Sequence, residues 1–225
     1  MNKKLLHTLS MLLLAMVAFT FTSCSLFDLD EIDGHIYVDL GLSVKWATCN
    51  VGADSPEDYG DYFAWGETKP KSTYNGSTYK WHQGDSYDLS KYCTGREGEY
   101  GTVDNKTQLD LSDDAAHVNW GGSWRMPTHD EFAELQEKCT WTRTTQDGVI
   151  GYKVISKTNG NSIFLPAAGY RDDSRLFPGG YYWSSSLFTE FPFRAWSMGF
   201  DFSIPPLYAR TPDRHYGLSV RPVCP

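Results

Sequence analysis

The chain has 225 residues, of which 40% are hydrophobic and 15% aromatic, which is enough apolar surface for one domain of moderate size. Its formal net charge at pH 7 is −8. This acidic balance argues against a nucleic-acid-binding protein and against a domain that docks on anionic membranes by charge.

The first 23 residues have the pattern of an export signal. Lys3 and Lys4 form a positive start, and the apolar run at 11–21 is too short to span a membrane comfortably. Small residues then precede Cys24, and this pattern resembles the lipobox of bacterial lipoproteins. We therefore expect cleavage before Cys24 and acylation of this cysteine, for example with palmitate. The alternative is an ordinary secretory signal.

Residues 24–34 form an acidic tether that carries Asp28, Asp30, Glu31 and Asp33. This segment is similar to the export signal of surface lipoproteins in the Bacteroidetes group, although a plain solvated linker has the same composition. We expect an outer membrane lipoprotein that faces the cell exterior, with a periplasm-facing orientation as the alternative. Its contact with the membrane would be the N-terminal acyl anchor only.

The domain at 35–225 begins with two strand patterns, at 35–40 and 43–49, in which apolar residues alternate. Residues 50–68 follow as a loop with an aromatic centre. Its acids could collect calcium, but their spacing matches no EF-hand loop, so we predict no metal and no cofactor.

Residues 69–108 are rich in tyrosine, serine, glycine and asparagine. This composition is typical of a binding surface such as an antibody paratope, and aromatic rings also stack on sugars. Tyr74, Tyr79 and Trp81 are therefore candidate ligand contacts. The alternative is an insertion whose aromatic residues fix it to the body of the domain.

The clearest helix start follows a turn with two tryptophans around Gly121-Gly122. Thr128 and Glu131 have the spacing of a capping box, and apolar residues then recur on one face, which predicts a helix at about 128–139. Arg125 is expected in a buried ion pair. These residues predict a structural hub rather than a catalytic motif: Trp120, Trp124, Arg125, Thr128, Glu131, Phe132 and Leu135.

The second half of the domain is dominated by strand patterns. Residues 151–156 and 162–165 flank Asn159-Gly160, which predicts a hairpin with a type I′ turn. The remaining pattern consists of a loop at 166–180, strands at 181–186 and 194–200, loops at 187–193 and 204–216, and a closing strand at 217–223.

Five segments together are similar to the Fibrobacter succinogenes major paralogous domain. They lie at 37–53, 59–67, 124–128, 182–185 and 220–222. The resemblance implies a compact α+β domain of the C-type-lectin-like group, with its ends close together and its ligand loops on one side. Members are mostly surface or secreted lipoproteins without an assigned enzyme activity, and related families include adhesins.

Calcium-dependent sugar binding does not follow from this resemblance. The Glu-Pro-Asn, Gln-Pro-Asp and Trp-Asn-Asp motifs of true C-type lectins do not occur in the chain. The nearest segment, Phe191-Pro192-Phe193, has no oxygen ligand in its side chains.

Four cysteines remain if Cys24 is acylated, and an exported chain permits two disulfides among them. Cys49 and Cys139 lie in family-like segments and are the candidate pair, which would leave Cys93 and Cys224 as a second bond or as thiols. Cys139 is equally suited to be a small core residue.

No catalytic motif is present, so we expect a non-catalytic surface protein for adhesion or carbohydrate binding, whose partner is a glycan or a protein and not a nucleic acid. The alternatives are a structural subunit of a surface assembly and an enzyme on polysaccharide, which requires two facing carboxylates. The candidate ligand contacts are Tyr74, Tyr79, Trp81, Arg171, Asp172, Asp173, Arg175, Phe188, Tyr208 and Arg210.

Overall fold

The computed structural model describes residues 30–95, 98–201 and 208–225, without the side chains of residues 85–87 and Tyr208. The expected signal peptide, Cys24 and most of the tether therefore lie outside the described residues. Within these ranges the chain forms fourteen short strands and two α-helices, and 3-10 turns occur at Gly76–Thr78 and Leu111–Asp113. The helices are α1 (Ala115–Trp120) and α2 (His129–Lys138).

The strands in chain order are β1 (Glu31–Ile32), β2 (His35–Val38), β3 (Lys45–Ala47), β4 (His82–Gln83), β5 (Asp85–Leu89), β6 (Cys139–Gln146), β7 (Val149–Ser156), β8 (Ser162–Pro166), β9 (Tyr170–Asp172), β10 (Arg175–Phe177), β11 (Gly180–Leu187), β12 (Ala195–Phe200), β13 (Tyr208–Arg210) and β14 (Val223–Cys224). All pairings between these strands are antiparallel. The domain is thus a mixed, mainly antiparallel β structure, in agreement with the α+β prediction at this coarse level.

The sheets connect distant parts of the chain. One sheet has the order β1-β2-β3-β14, so the C-terminal strand pairs with the N-terminal region and the two ends of the domain are adjacent. The others are β6-β7-β8, β11-β12-β13, β4-β5 and β9-β10. The main core lies between α2, the N-terminal sheet and the two three-stranded sheets.

The predicted helix α2 is confirmed, together with its capping box. The Thr128 hydroxyl accepts from the Glu131 amide at 3.2 Å, and the Glu131 carboxylate accepts from the Thr128 amide at 2.7 Å. Phe132, Leu135 and Cys139 are buried as the periodicity predicts. Arg125 forms an ion pair as expected, although the pair is half-buried, and its guanidinium donates to both carboxylate oxygens of Glu131.

We expect Thr128→Ala to lower the free energy of unfolding by ~1 kcal/mol, because the substitution removes the side-chain acceptor of the N-cap. Urea denaturation measures this change. Glu137→Ala, at an exposed position of the same helix, is the control and should have almost no effect. Equal stabilities of the two variants would contradict the assigned cap.

The tryptophan turn holds the N-terminal hairpin. The Trp124 indole donates to the Ile32 carbonyl at 3.0 Å, and the Trp120 ring stacks on His35 with centroids 3.7 Å apart. A Cβ atom at Gly122 would collide with the carboxylate of Asp33. Gly122 also has a φ of +54°, a backbone conformation that L side chains rarely adopt, so glycine suits this turn.

The five segments of the family resemblance pack on one another. Two tryptophans join the 59–67 segment to the 182–185 segment, since the Trp65 indole donates to the Ser184 carbonyl at 2.8 Å and the Trp183 indole donates to the Phe63 carbonyl at 2.7 Å. The buried Arg221 donates to the carbonyls of Ala47 and Thr48. These motif residues therefore build the core.

The predicted hairpin at 151–165 forms, but its predicted type I′ turn is wrong. Asn159 does not adopt the positive φ that this turn requires, whereas Gly160 does. The Ser156 hydroxyl accepts from the amides of residues 158 and 159, and the Asn159 side chain donates to the Asp39 carbonyl at 3.0 Å. These contacts hold a longer connection in place of a two-residue turn.

Other segments also differ from the prediction, among them the loop expected at 204–216, which contains β13. The loop expected at 166–180 contains the hairpin of β9 and β10, and the expected closing strand at 217–223 pairs as a strand only at Val223–Cys224. A tight Asp147-Gly148 turn, with positive φ at both residues, joins β6 to β7. This turn was not predicted, although Asp-Gly is typical of such hairpins.

The expected disulfide between Cys49 and Cys139 does not form in the described structure. Cys139 faces the core cluster that contains Phe132 and Leu135, where burial raises the pKa of its thiol to about 11. Cys49 lies elsewhere, half-buried beside Thr48. The alternative interpretation of Cys139 as a small core residue therefore fits the structure.

Candidate functional site

The best candidate site is a cleft of about 420 Å³, a volume in the usual range for small-molecule sites. We call it the tyrosine cleft, because three tyrosine rings form much of its wall. Its lining residues are Tyr170, Tyr181, Ala209, Arg210, Thr211, Pro212, Tyr216 and Leu218.

The three tyrosines come from separate segments that the backbone brings together. Tyr170 begins β9, Tyr181 lies at the start of β11, and Tyr216 precedes the C-terminal segment. Backbone bridges join residue 169 to residue 180 and residue 171 to residue 217. Each tyrosine has a glycine as its sequence neighbour, which lets the chains approach closely.

Two of these glycines are required by packing. A Cβ atom at Gly217 would lie 2.7 Å from the Tyr74 ring, and one at Gly180 would overlap the Phe200 ring. Larger residues would force these backbone segments apart. The cleft wall therefore depends on glycine at both positions.

The rings contact one another in a fixed arrangement. Tyr170 stacks on Phe177 with centroids 4.9 Å apart, and meets Tyr181 edge-on at the same distance. Tyr216 is tilted against Tyr170 at 5.6 Å. Such ring pairs add stability beyond their buried area, so we expect the wall to be preformed.

Arg210 supplies a positive charge beside the rings. Its guanidinium lies over the Tyr181 ring, 5.4 Å from the centroid, and its Nη2 atom is 3.4 Å from the Asp201 carboxylate. The contact with the Tyr181 ring and the ion pair with Asp201 together orient this cation. A guanidinium carries N–H groups that suit oxygen acceptors.

The tyrosine hydroxyls stay protonated at neutral pH. Burial raises the pKa of Tyr170 and of Tyr181, and it raises the pKa of Tyr216 to about 12 with a further contribution from the carboxylates of Asp172 and Asp213. Each hydroxyl can therefore donate as well as accept a hydrogen bond. The cleft combines apolar ring faces with neutral and cationic donors.

Among the predicted contact residues whose side chains the structure describes, Arg210 lines the tyrosine cleft. The side chain of Tyr208 lies outside the described part of the chain. Phe188 does not line the cleft and instead contacts Phe191 and the edge of Trp196.

Tyr74 and Tyr79 are corrected from ligand contacts to core residues. They are 1% and 3% exposed, and their hydroxyls donate to the carbonyls of Tyr62 and Trp65. Trp81 is half-buried, with its indole donating to the Gly66 carbonyl at 3.1 Å. The insertion is thus held to the domain by its aromatic residues, as the alternative interpretation stated.

The predicted charged residues at 171–175 lie on the β9–β10 hairpin. Arg171 covers the Tyr62 ring at 4.7 Å, and the Asp173 carboxylate accepts from the Asn75 side chain at 2.6 Å. Arg175 is exposed, and Asp172 is close enough to Tyr216 to affect its titration. The hairpin therefore joins the insertion to the cleft, although these four side chains do not line it.

The sequence does not identify Tyr170, Tyr181 and Tyr216 as site residues. Its patterns place Tyr181 in a strand and the other two in loops. The available signal was the recurring pair of glycine and tyrosine, which by itself does not show that the three segments meet.

Two histidines near the tryptophan turn and α2 make separate contacts. His117 contacts the Trp124 carbonyl, and His129 stacks on Trp196. Among the described residues, no group of three or more histidine, cysteine or acidic side chains is arranged to hold a metal ion.

Comparison of this chain with known protein families, with curated proteins and with solved structures finds no match. In the stretches of the chain that the structure describes, no helix combines the length and apolar character needed to cross a bilayer.

Proposed function

We propose that this chain is a non-catalytic, surface-anchored binding protein that recognises a glycan through the tyrosine cleft. One observation carries the proposal: three tyrosine rings and the Arg210 guanidinium line a cavity of about 420 Å³. Aromatic faces with a few directed donors suit a ligand that is partly apolar and rich in hydroxyl groups.

A pyranose ring has such a surface. Its C–H face packs on an aromatic ring, while its hydroxyls form hydrogen bonds around the edge. In this cleft the tyrosines would supply the packing surface, and the Arg210 guanidinium and the Tyr216 hydroxyl would donate to sugar oxygens. The ring contacts hold these groups in place before the ligand arrives, which lowers the entropic cost of binding.

The composition of the cleft also favours binding over catalysis. Hydrolysis of a glycosidic bond normally needs two carboxyl groups that face one cleft. The described residues that line the tyrosine cleft include no aspartate or glutamate.

The anchor and the fold family belong to the same proposal. Export through the first 23 residues and acylation of Cys24 would place the domain on the outer membrane. The adjacent chain ends and the packing of the five motif segments on one another support a domain of the Fibrobacter succinogenes major paralogous type, with a C-type-lectin-like fold.

A glycan array with the purified protein should identify ligands, and Tyr216→Ala should weaken binding of the best one about tenfold or more. The reason is the loss of one stacking face of the cleft. Arg210→Met should weaken binding by removing the cationic donors. Isothermal titration of each variant with the selected glycan measures both effects.

Trp81→Ala is the matched control, because it removes a half-buried aromatic ring that does not line the cleft. It should leave affinity unchanged. Thermal unfolding of all variants separates loss of binding from loss of fold. Full binding by folded Tyr216→Ala and Arg210→Met variants would contradict the proposed site. If no glycan on the array bound the protein, the proposal of a glycan ligand would be contradicted.

A further inference from the structure

A second cavity, of about 410 Å³, adjoins the tyrosine cleft without sharing a lining residue. The Phe177 ring lines it and stacks on Tyr170 of the cleft. We call this cavity the apolar groove, and its main side chains are Tyr59, Val149, Ile150, Ala167, Leu176 and Phe177.

Large apolar side chains are unusually exposed in this groove. Tyr59 is 41%, Ile150 42% and Leu176 48% exposed, although they come from three distant segments. In the described residues three other large apolar side chains are exposed to a similar degree, at 38–53%, and none of them lines the groove. Convergence of exposed apolar groups in one concavity marks an interaction site.

The groove is held open by contacts behind its lining. The Gln146 side chain donates to the Glu57 carboxylate at 3.0 Å, which ties the loop of Tyr59 to the β6–β7 hairpin. The amide of Ala167 donates to the Ile150 carbonyl at 2.9 Å. The site is therefore preformed and does not depend on a ligand for its shape.

Backbone acceptors around the groove are already used inside the domain. The Ala168 carbonyl accepts from the Tyr62 hydroxyl, and the Gly179 carbonyl accepts from the Gly169 amide at 2.6 Å. An occupant would consequently gain little from hydrogen bonds to these groups. Recognition inside the groove rests on apolar contact.

The charges on the segments that form the groove indicate the chemistry around the occupant. Glu57 and Asp58 precede Tyr59, and Asp147 lies at the turn before Val149, whereas the cationic Arg175 stands beside Leu176. Three acids against one arginine on these segments favour a partner that carries basic groups beside its apolar side chain.

We propose that the apolar groove docks a protein partner through a bulky apolar side chain flanked by lysine or arginine. This inference is independent of the glycan ligand of the tyrosine cleft. The partner segment would place its apolar side chain among Tyr59, Ile150 and Leu176 and its basic groups near the surrounding carboxylates.

The test uses the purified, isotope-labelled protein and the synthetic peptide acetyl-Lys-Leu-Phe-Lys-amide. NMR titration should give saturable shifts for the amides of Val149, Ile150 and Leu176. A charge-reversed peptide, acetyl-Glu-Leu-Phe-Glu-amide, should bind about tenfold more weakly or worse. Equal binding of the two peptides, or the absence of saturable shifts in the groove, would overturn the proposal.

Leu176→Ser and Ile150→Ser should abolish the shifts while leaving thermal stability nearly unchanged, because both side chains are exposed. Leu111→Ser, at another exposed leucine outside the groove, should bind like the wild type. Wild-type binding by both groove variants would refute the site. Concentration-dependent shifts of the groove residues without peptide would assign it to a second copy of the chain and would refute the basic partner.

Discussion

Replacement of Arg214 by methionine is expected to lower the free energy of unfolding by roughly 3–5 kcal/mol, because several buried acceptors lose their donor and each such loss costs about 1–3 kcal/mol. Arg214 is 1% exposed. Its guanidinium donates to the Tyr79 hydroxyl at 2.8 Å and to the carbonyls of Lys91, Tyr92 and Pro192 at 3.0–3.2 Å.

The size of this effect follows from what the substitution leaves behind. Methionine fills some of the volume but donates no hydrogen bond, so three buried carbonyls lose a donor. The guanidinium also lies over the Trp65 ring, 4.8 Å from its centroid. Arg214 therefore joins the 69–108 insertion, the 187–193 loop and the C-terminal segment.

Chemical denaturation followed by tryptophan fluorescence measures the change. Arg214→Lys should also be strongly destabilising, because one ammonium group cannot reproduce the planar fork of donors. Arg175→Met is the control at an exposed arginine and should have little effect. An Arg214→Met variant as stable as this control would show that the buried guanidinium does not hold the three segments together.

Trp183→Ala is expected to cost about 3–5 kcal/mol, the typical loss for truncation of a large buried aromatic residue. Trp183 is fully buried in the cluster that also contains Phe63, Trp65 and Val220. The substitution removes the ring from this core and also the indole bond to the Phe63 carbonyl.

Trp183→Phe separates the two contributions. It keeps most of the apolar volume and loses the indole donor, so the cost should be clearly smaller than that of the alanine variant. Calorimetry gives both values under the same conditions. Similar losses for both variants would mean that the hydrogen bond, and not packing, dominates at this position.

Local interactions in this domain could be predicted from the sequence, because they depend on residues a few positions apart. The cap of α2 needs only Thr128 and Glu131, and the buried face of the helix follows from the spacing of Phe132, Leu135 and Cys139. The hairpin of β7 and β8 follows from its strand patterns, but its turn type does not, since Asn159 bonds to the distant Asp39 carbonyl.

The candidate site could not be predicted in the same way. The tyrosine cleft joins residues near 170, 181, 210 and 216, and no sequence pattern states that these segments meet. In the insertion the sequence predicts contact residues that the structure does not support. The composition of 69–108 is typical of a binding loop, but Tyr74 and Tyr79 are buried. Their burial depends on Gly217 and Arg214, more than a hundred residues away in the chain.

The structure of the protein in complex with the tightest glycan from the array tests the central claim most directly. The proposed function predicts a sugar ring against the tyrosine cleft, in contact with Tyr216 and with a sugar oxygen bonded to the Arg210 guanidinium. A glycan bound elsewhere on the domain, with the tyrosine cleft empty, would contradict it.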